Sequence, residues 1–464
     1  MKNSVLNALL EIIPLGILVT FFSLSLFEIY KIVLVSPSDL HYTLNWAFSD
    51  YLINYSGGFV RRGILGELLS FFGEGRIVPA FNIFLMALFT VNLSLLVYLT
   101  RLTTVSFLVP SLAILMPLGV VSVSVHADLE IFARKEMIFY CFTTYCAVQS
   151  VKNYRLTYGG NHDAQLLNSK LKILITQIFI FSTFAMLSHE GFVFYSVPTL
   201  LILLSVNALK LEARRRITIL ALYIALIFLL SIILFFNRGT PDISTAIIAS
   251  LPDGLRGYHE AIDLIGWQPS QQLEHVSRSS KLNSHNVLVN SKIVLFQALP
   301  VLIIYLSLFS FFCRKYSRYH LRRIDPVVQG GFLFIIISAS IGPYFLLSGD
   351  WTRLITSIAI NSSLLILVFT SIDRRCFERT FFIINRATGI LSFKLVPEAC
   401  LKNKTFTFVV VLLMFWAAST FRVFGSDPIK MNGKLAHEAW AFITIIRKSV
   451  FDTAMDFTGF FQYF

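Results

Sequence analysis

Charge is scarce in this chain. Of its 464 residues only 14% are Asp, Glu, Lys or Arg, against 56% that are hydrophobic. A soluble domain carries about a quarter of its residues as charged groups, so a water-soluble globular fold is excluded, and a mean hydropathy of +0.71 agrees. Cysteine is sparse too: Cys141, Cys146, Cys313, Cys376 and Cys400 fall in apolar runs or beside basic segments, which excludes a disulfide framework for the outward-facing loops. His189-Glu190 lacks the second histidine and the spacing of a zinc helix, which excludes that metalloprotease motif. No repeat of fixed period is present, and no nucleic-acid module is visible.

What is present is a series of apolar runs of the length, roughly 17 to 25 residues, that crosses a hydrocarbon core. About eleven are expected, near 8–30, 79–100, 104–124, 137–151, 173–188, 192–209, 217–236, 293–313, 328–347, 354–371 and 406–422. Lipid offers backbone groups no hydrogen-bond partner, so these runs must be helical. The first run contains Pro14 and continues to Glu28 and Lys31 without a small-residue cleavage site, so it reads as a retained helix and not a signal peptide. The reading is an all-α polytopic membrane protein.

Alternate short loops are densely basic: Lys152, Arg155, Lys170 and Lys172; Lys210 and Arg214 to Arg216; Arg314, Lys315, Arg318, Arg322 and Arg323; Arg374, Arg375, Arg379 and Arg386. Such loops mark the cytoplasmic side. The N-terminus is then inside and the C-terminus periplasmic. The formal charge of +13 is accordingly a topology signal helped by anionic headgroups, not a nucleic-acid footprint. Residues 1–423 form one bundle with external loops at 31–78 and 237–292, and 424–464 form an external interfacial tail. Within the first loop, Ile64 to Phe72 is amphipathic, too short to span and suited to the interface.

Four external turns carry ionisable groups. Asp50 to Gly63 joins an acid to Gly57, Gly58 and the Arg61-Arg62 pair, whose forked donors match phosphate oxygens. His126 to Glu136 holds Asp128, Glu130, Arg134 and Lys135, and is also readable as a salt-bridged cap. His189-Glu190 is wedged between two apolar runs, where an ionisable group is costly and is by default a functional candidate. Gly349 to Arg353 brings Asp350, Trp351 and Arg353. Threading puts all four on the side opposite the basic loops.

A first helix, a long external loop with an early acid and interfacial pieces, and a following bundle with further external acids resemble the GT-C superfamily of polyprenyl-phosphate-dependent glycosyltransferases. The resemblance is one of topology and covers residues 1–210 best. It implies transfer of a sugar from a polyprenyl-(di)phosphate donor to a glycan or lipid acceptor at the periplasmic face of a bacterial inner membrane, with inversion, in O-antigen or lipopolysaccharide assembly. The loop acid of that family maps to Asp50, with Asp128 and Glu190 as substitute catalytic acids. Arg61, Arg62, Arg134, Lys135 and Arg353 would bind the donor phosphate, and Gly57, Gly58, His189, Asp350 and Trp351 the substrate. The chain also looks like an O-antigen polymerase, for which Arg62 and Gly73 have the associated spacing. No cofactor is singled out, and a divalent cation is left open because no ligand spacing marks one. A lipid-linked oligosaccharide flippase or carrier is the alternative of another class.

Overall fold

The computed structural model describes residues 45–73, 75–102, 133–158, 164–208 and 211–268, with isolated positions at 270, 271, 274 and 337 and within 357–368. The described residues are helical, with no strands among them. Residues 45–51 form helical turns and are followed by α1 (Gly63–Ser70), α2 (Ile77–Leu102), α3 (Glu136–Tyr158), α4 (Ala164–Ser188), α5 (Phe192–Tyr195), α6 (Val197–Asn207), α7 (Ala213–Phe236), α8 (Pro241–Ser250) and α9 (Glu260–Gly266). Three of these, in α2, α4 and α7, are long and apolar enough to cross a membrane. The spans expected near 8–30, 104–124, 293–313 and 406–422 and the tail from 424 lie outside the described residues, as does nearly all of 328–347.

α3 is the central helix and packs on α2, α4 and α6. Its polar side chains do not disturb this burial, because Thr143, Thr144 and Ser150 turn their hydroxyls onto the carbonyls of Phe139, Tyr140 and Cys146 one turn back, at 2.7 to 2.8 Å. That is the inexpensive way to carry a hydroxyl where water is absent. α3 and α4 are an antiparallel pair. Lys135 meets Ser188, Phe142 stacks on Phe181 at 4.2 Å and Tyr145 donates to Gln177 at 3.1 Å, a register that runs oppositely along the two helices. α7 packs on α4 through Tyr223, whose hydroxyl lies 2.9 Å from Ser182 Oγ. Only a narrow stripe of α7, Tyr223, Ile227, Leu230 and Leu234, is buried, while Ile217, Phe228, Leu229, Phe235 and Phe236 are exposed. A helix with a mean hydropathy of 3.1 and so little cover has the surface of one that faces lipid.

The run expected as one span at 192–209 is broken at Ser196 (φ −132°, ψ −30°) into α5 and α6. Pro198 lies in the first turn of α6, where its missing N–H is harmless. At the break Asn361 Nδ2 donates to the Tyr195 carbonyl at 2.6 Å.

The bundle has two chemically different ends. Arg155 donates to the carbonyl of Leu102, and Lys152 Nζ lies 4.6 Å from the Tyr98 ring, so the last turns of α2 and α3 share an end with the basic starts of α4 and α7. Arg214 to Arg216 occupy the first turn of α7, where the helix dipole disfavours cations. At the other end the polar segments 45–73 and 237–268 dock on one another. Arg61 N–H donates to the Asn237 carbonyl at 2.9 Å, Ala261 N–H to Ser49 Oγ at 3.0 Å and Asn54 Nδ2 to Ser250 Oγ at 3.1 Å. α1 buries Leu65, Gly66 and Leu69 and leaves Leu68, Phe71 and Phe72 exposed, the two-faced distribution expected of an interfacial piece.

Candidate functional site

Three stretches that are far apart in sequence bring their charges together at the end remote from the basic loops. Asp50 closes the helical turns 45–51, Arg61 and Arg62 precede α1, Lys135 precedes α3, and His189-Glu190 follows α4. Lys135 is sealed from solvent, with side-chain exposure of 0%. Its ammonium has three donors and three acceptors: Asp50 Oδ2 at 3.2 Å, the Ser188 carbonyl at 3.1 Å and the Arg62 carbonyl at 3.4 Å. Ser188 ends α4, so its carbonyl is one of those the helix leaves without an internal partner, on the negative end of the dipole. The Tyr51 ring lies 5.5 Å from the same ammonium.

Arg62 is the hinge of the arrangement. It sits in the left-handed region at φ 69°, the single non-glycine with positive φ among the described residues, a conformation that costs about 1 kcal/mol or more. That backbone turn lets one guanidinium reach two carboxylates. Its Nε and Nη2 grip both oxygens of Glu190, the Nε bond being 2.9 Å, and its Nη1 lies 3.4 Å from Asp50 Oδ1. Arg61 Nη1 adds a second contact to Glu190 Oε1 at 3.3 Å. Three cations thus hold two carboxylates.

The electrostatics follow from that geometry. Burial would raise the Asp50 carboxyl, but Lys135 and Arg62 more than offset it and hold the group at about 2. Burial likewise opposes ionisation of Glu190, and Arg62 with Arg61 wins there too, keeping it well below the usual carboxylate range. Burial and the nearby Arg62 guanidinium lower His189 to about 4, so its imidazole is neutral at physiological pH. Gly191 N–H donates to His189 Nδ1 at 2.9 Å, which leaves the proton of the neutral ring on Nε2. Burial lowers Lys135, and Asp50 works against that shift.

The structure therefore brings together Asp50, Arg61, Arg62, Lys135, His189 and Glu190. The Arg134 guanidinium lies 5.9 Å from the Trp46 ring. At Gly57 a side chain would meet the Ile243 backbone at 2.9 Å, so its smallness serves the docking of the loop on α8. Gly58 (φ 117°) has open space around it and supplies the turn. Asp128, Asp350, Trp351 and Arg353 lie outside the described residues. Sequence reasoning missed the Ser188 carbonyl and the Tyr51 ring as partners of Lys135, the first because backbone acceptors carry no residue signal. A signal did exist for the second, since Tyr51 adjoins the acid. Among the described residues no three His, Cys, Asp or Glu side chains converge as metal ligands. No family model, curated protein or solved structure matches the chain.

Proposed function

We propose that the chain is a membrane-embedded glycosyltransferase that takes a sugar from a polyprenyl-phosphate or polyprenyl-diphosphate carrier at the end of the bundle where Asp50 and Arg62 lie, the periplasmic face of a bacterial inner membrane. The observation that carries this reading is the Arg62 fork closed on Glu190 with Arg61 beside it. Planar, paired donors of this kind recognise phosphate oxygens as readily as carboxylate oxygens. A donor phosphate would share these guanidinium groups with Glu190.

In the transfer step the acceptor oxygen bonds to the anomeric carbon, the carbon–oxygen bond to phosphate breaks, and the electron pair leaves with the phosphate. Arg61 and Arg62 stabilise the charge that grows there. The hydroxyl proton passes to a carboxylate, for which Asp50 is the choice. Held at about 2, Asp50 is a weak base in the resting state; its basicity rises as phosphate draws the Arg62 charge away. His189 Nε2–H is a neutral donor for a sugar hydroxyl or a phosphate oxygen. A carrier would instead need polar groups on a path through both leaflets, whereas Thr143, Thr144 and Ser150 of α3 bond carbonyls of their own helix and Tyr140 and Tyr145 are bonded to Ser357 and Gln177 of neighbouring segments.

The test is a surface-glycan profile of cells carrying the wild type, Asp50→Asn or Arg62→Lys, paired with binding of polyprenyl phosphate to each purified protein. Asp50→Asn should abolish the glycan product while binding persists. Arg62→Lys should weaken binding by about tenfold, because a point charge replaces a fork. A ladder reduced to a single repeat assigns the polymerase reaction, and a lost side branch assigns a simple transferase. An unchanged profile with Asp50→Asn overturns the proposal.

A further inference from the structure

At the basic end, between α3 and α4, lies an open cleft of about 580 Å³. Lys152, Arg155 and Lys170 line it together with Gln149, Gln177 and Ile173, and no carboxylate stands among its described lining residues. Two of the cations are held in place from the α2 side. Lys152 rests on the Tyr98 ring at 4.6 Å, and Arg155 is tied to the last carbonyl of α2. Above this polar floor the α4 surface turns apolar and exposed at Ile173, Ile180 and Phe181, residues on one side of the helix that lead away from the charges along the membrane direction. A second cleft, about 650 Å³ between α4 and α7, has Lys172, Arg214 and Arg215 but also Glu212, which lies 3.9 Å from Arg215. Its charge is in part already balanced.

We propose that the α3–α4 cleft is a binding site for the phosphate headgroup of an anionic membrane phospholipid, with an acyl chain lying along Ile173, Ile180 and Phe181. A basic pocket between transmembrane helices, continuous with an exposed apolar strip, complements a lipid at both its ends. Free phosphate would satisfy only the floor. The site is independent of the glycosyltransferase reading, since it occupies the opposite end of the bundle and shares no residue with the Asp50 cluster.

The experiment is native mass spectrometry of the full chain released from detergent with graded phosphatidylglycerol or phosphatidylcholine, with and without millimolar inorganic phosphate. Wild-type protein should retain phosphatidylglycerol over phosphatidylcholine by at least about fivefold, given the worth of a few Lys or Arg near an anionic headgroup. The double variant Lys152→Gln/Lys170→Gln, which leaves the Arg155 cap intact, should bind it about tenfold more weakly, and Arg214→Gln/Arg215→Gln should keep wild-type binding within about twofold. Equal loss in both double variants would show a diffuse charge effect and overturn the site. So would wild-type protein that binds both lipids alike, a comparison that needs no variant, or displacement of the lipid by inorganic phosphate.

Discussion

Lys135 Nζ stands 3.2 Å from Asp50 Oδ2 across 85 residues of chain, and neither side chain is more than 7% exposed. A cation and an acid sealed together in this way depend on each other. Each alone would be an uncompensated buried charge, and the ammonium also closes the carbonyl end of α4 at Ser188.

Lys135→Met should therefore destabilise the protein strongly. It leaves Asp50 with Arg62 alone and strips the Ser188 carbonyl of its donor, and breaking a buried pair by removing one partner costs about 3 to 5 kcal/mol. Thermal unfolding in detergent should show a clear drop in Tm. The double variant Lys135→Met/Asp50→Asn should recover part of it, and the absence of any recovery would argue against coupling between the two.

Acid should act through Asp50. Its carboxyl is held at about 2 against an ordinary value of 3.8, so the ionised form is the one that folding favours. The contribution, about 2 kcal/mol, is present in full above pH ~4 and is lost as pH falls through 2. Stability of the wild type should fall over that window, and Asp50→Asn should flatten this part of the profile. The check is denaturant or thermal unfolding followed by circular dichroism across it.

His189 should be silent in the physiological range. Burial lowers it from 6.5 to about 4, so stability linked to its neutral form is complete above pH ~6.5 and erodes as pH falls through 4. In protein labelled at histidine, the His189 ring carbon signals should not move between pH 8 and about 5. A midpoint near 6.5 would show that the ring is solvated and free of Gly191.

Gly66→Ala should fold poorly. An added Cβ would stand 2.0 Å from the carbonyl oxygen of Ile53, a backbone atom that cannot swing aside, and overpacking of this kind costs about 1 to 3 kcal/mol or more. Gly75→Ala meets no such obstacle and pays only for its positive φ of 77°. The yields of folded, monodisperse protein for the two variants should differ accordingly.

The helices were legible because membrane spans have a loud signal: a long apolar run bounded by charge. α2 and α7 lie within four residues of the expected 79–100 and 217–236, and α4 ends at the expected 188 but starts nine residues before 173, each helix reaching further into its polar flanks because helical geometry does not stop where hydrophobicity does. The break at Ser196 was harder to see, since Pro198 is tolerated in a first turn and the residues around it are uniformly apolar. Asp50, Arg62 and Glu190 could be singled out one by one as ionisable groups out of place. Their pairing could not, because nothing in residue identity says that Arg62 adopts a left-handed turn and so faces two acids at once. The smallness of Gly57 lets α8 approach, and composition alone does not distinguish a neighbouring helix from a ligand.

The close fit of Gly66 under Ile53 has one more implication. It clamps the start of α1 to the strand of chain just after Asp50, so Asp50 and Arg62 ride on a single stiff block. Lys135 and Glu190 belong instead to the rims of α3 and α4. Any gap wide enough to admit a lipid-borne group between block and rims must part Lys135 from Asp50 and Arg62 from Glu190 in the same movement, which makes those two ion pairs a matched latch and the Asp50–Arg62 contact its unmoving jamb.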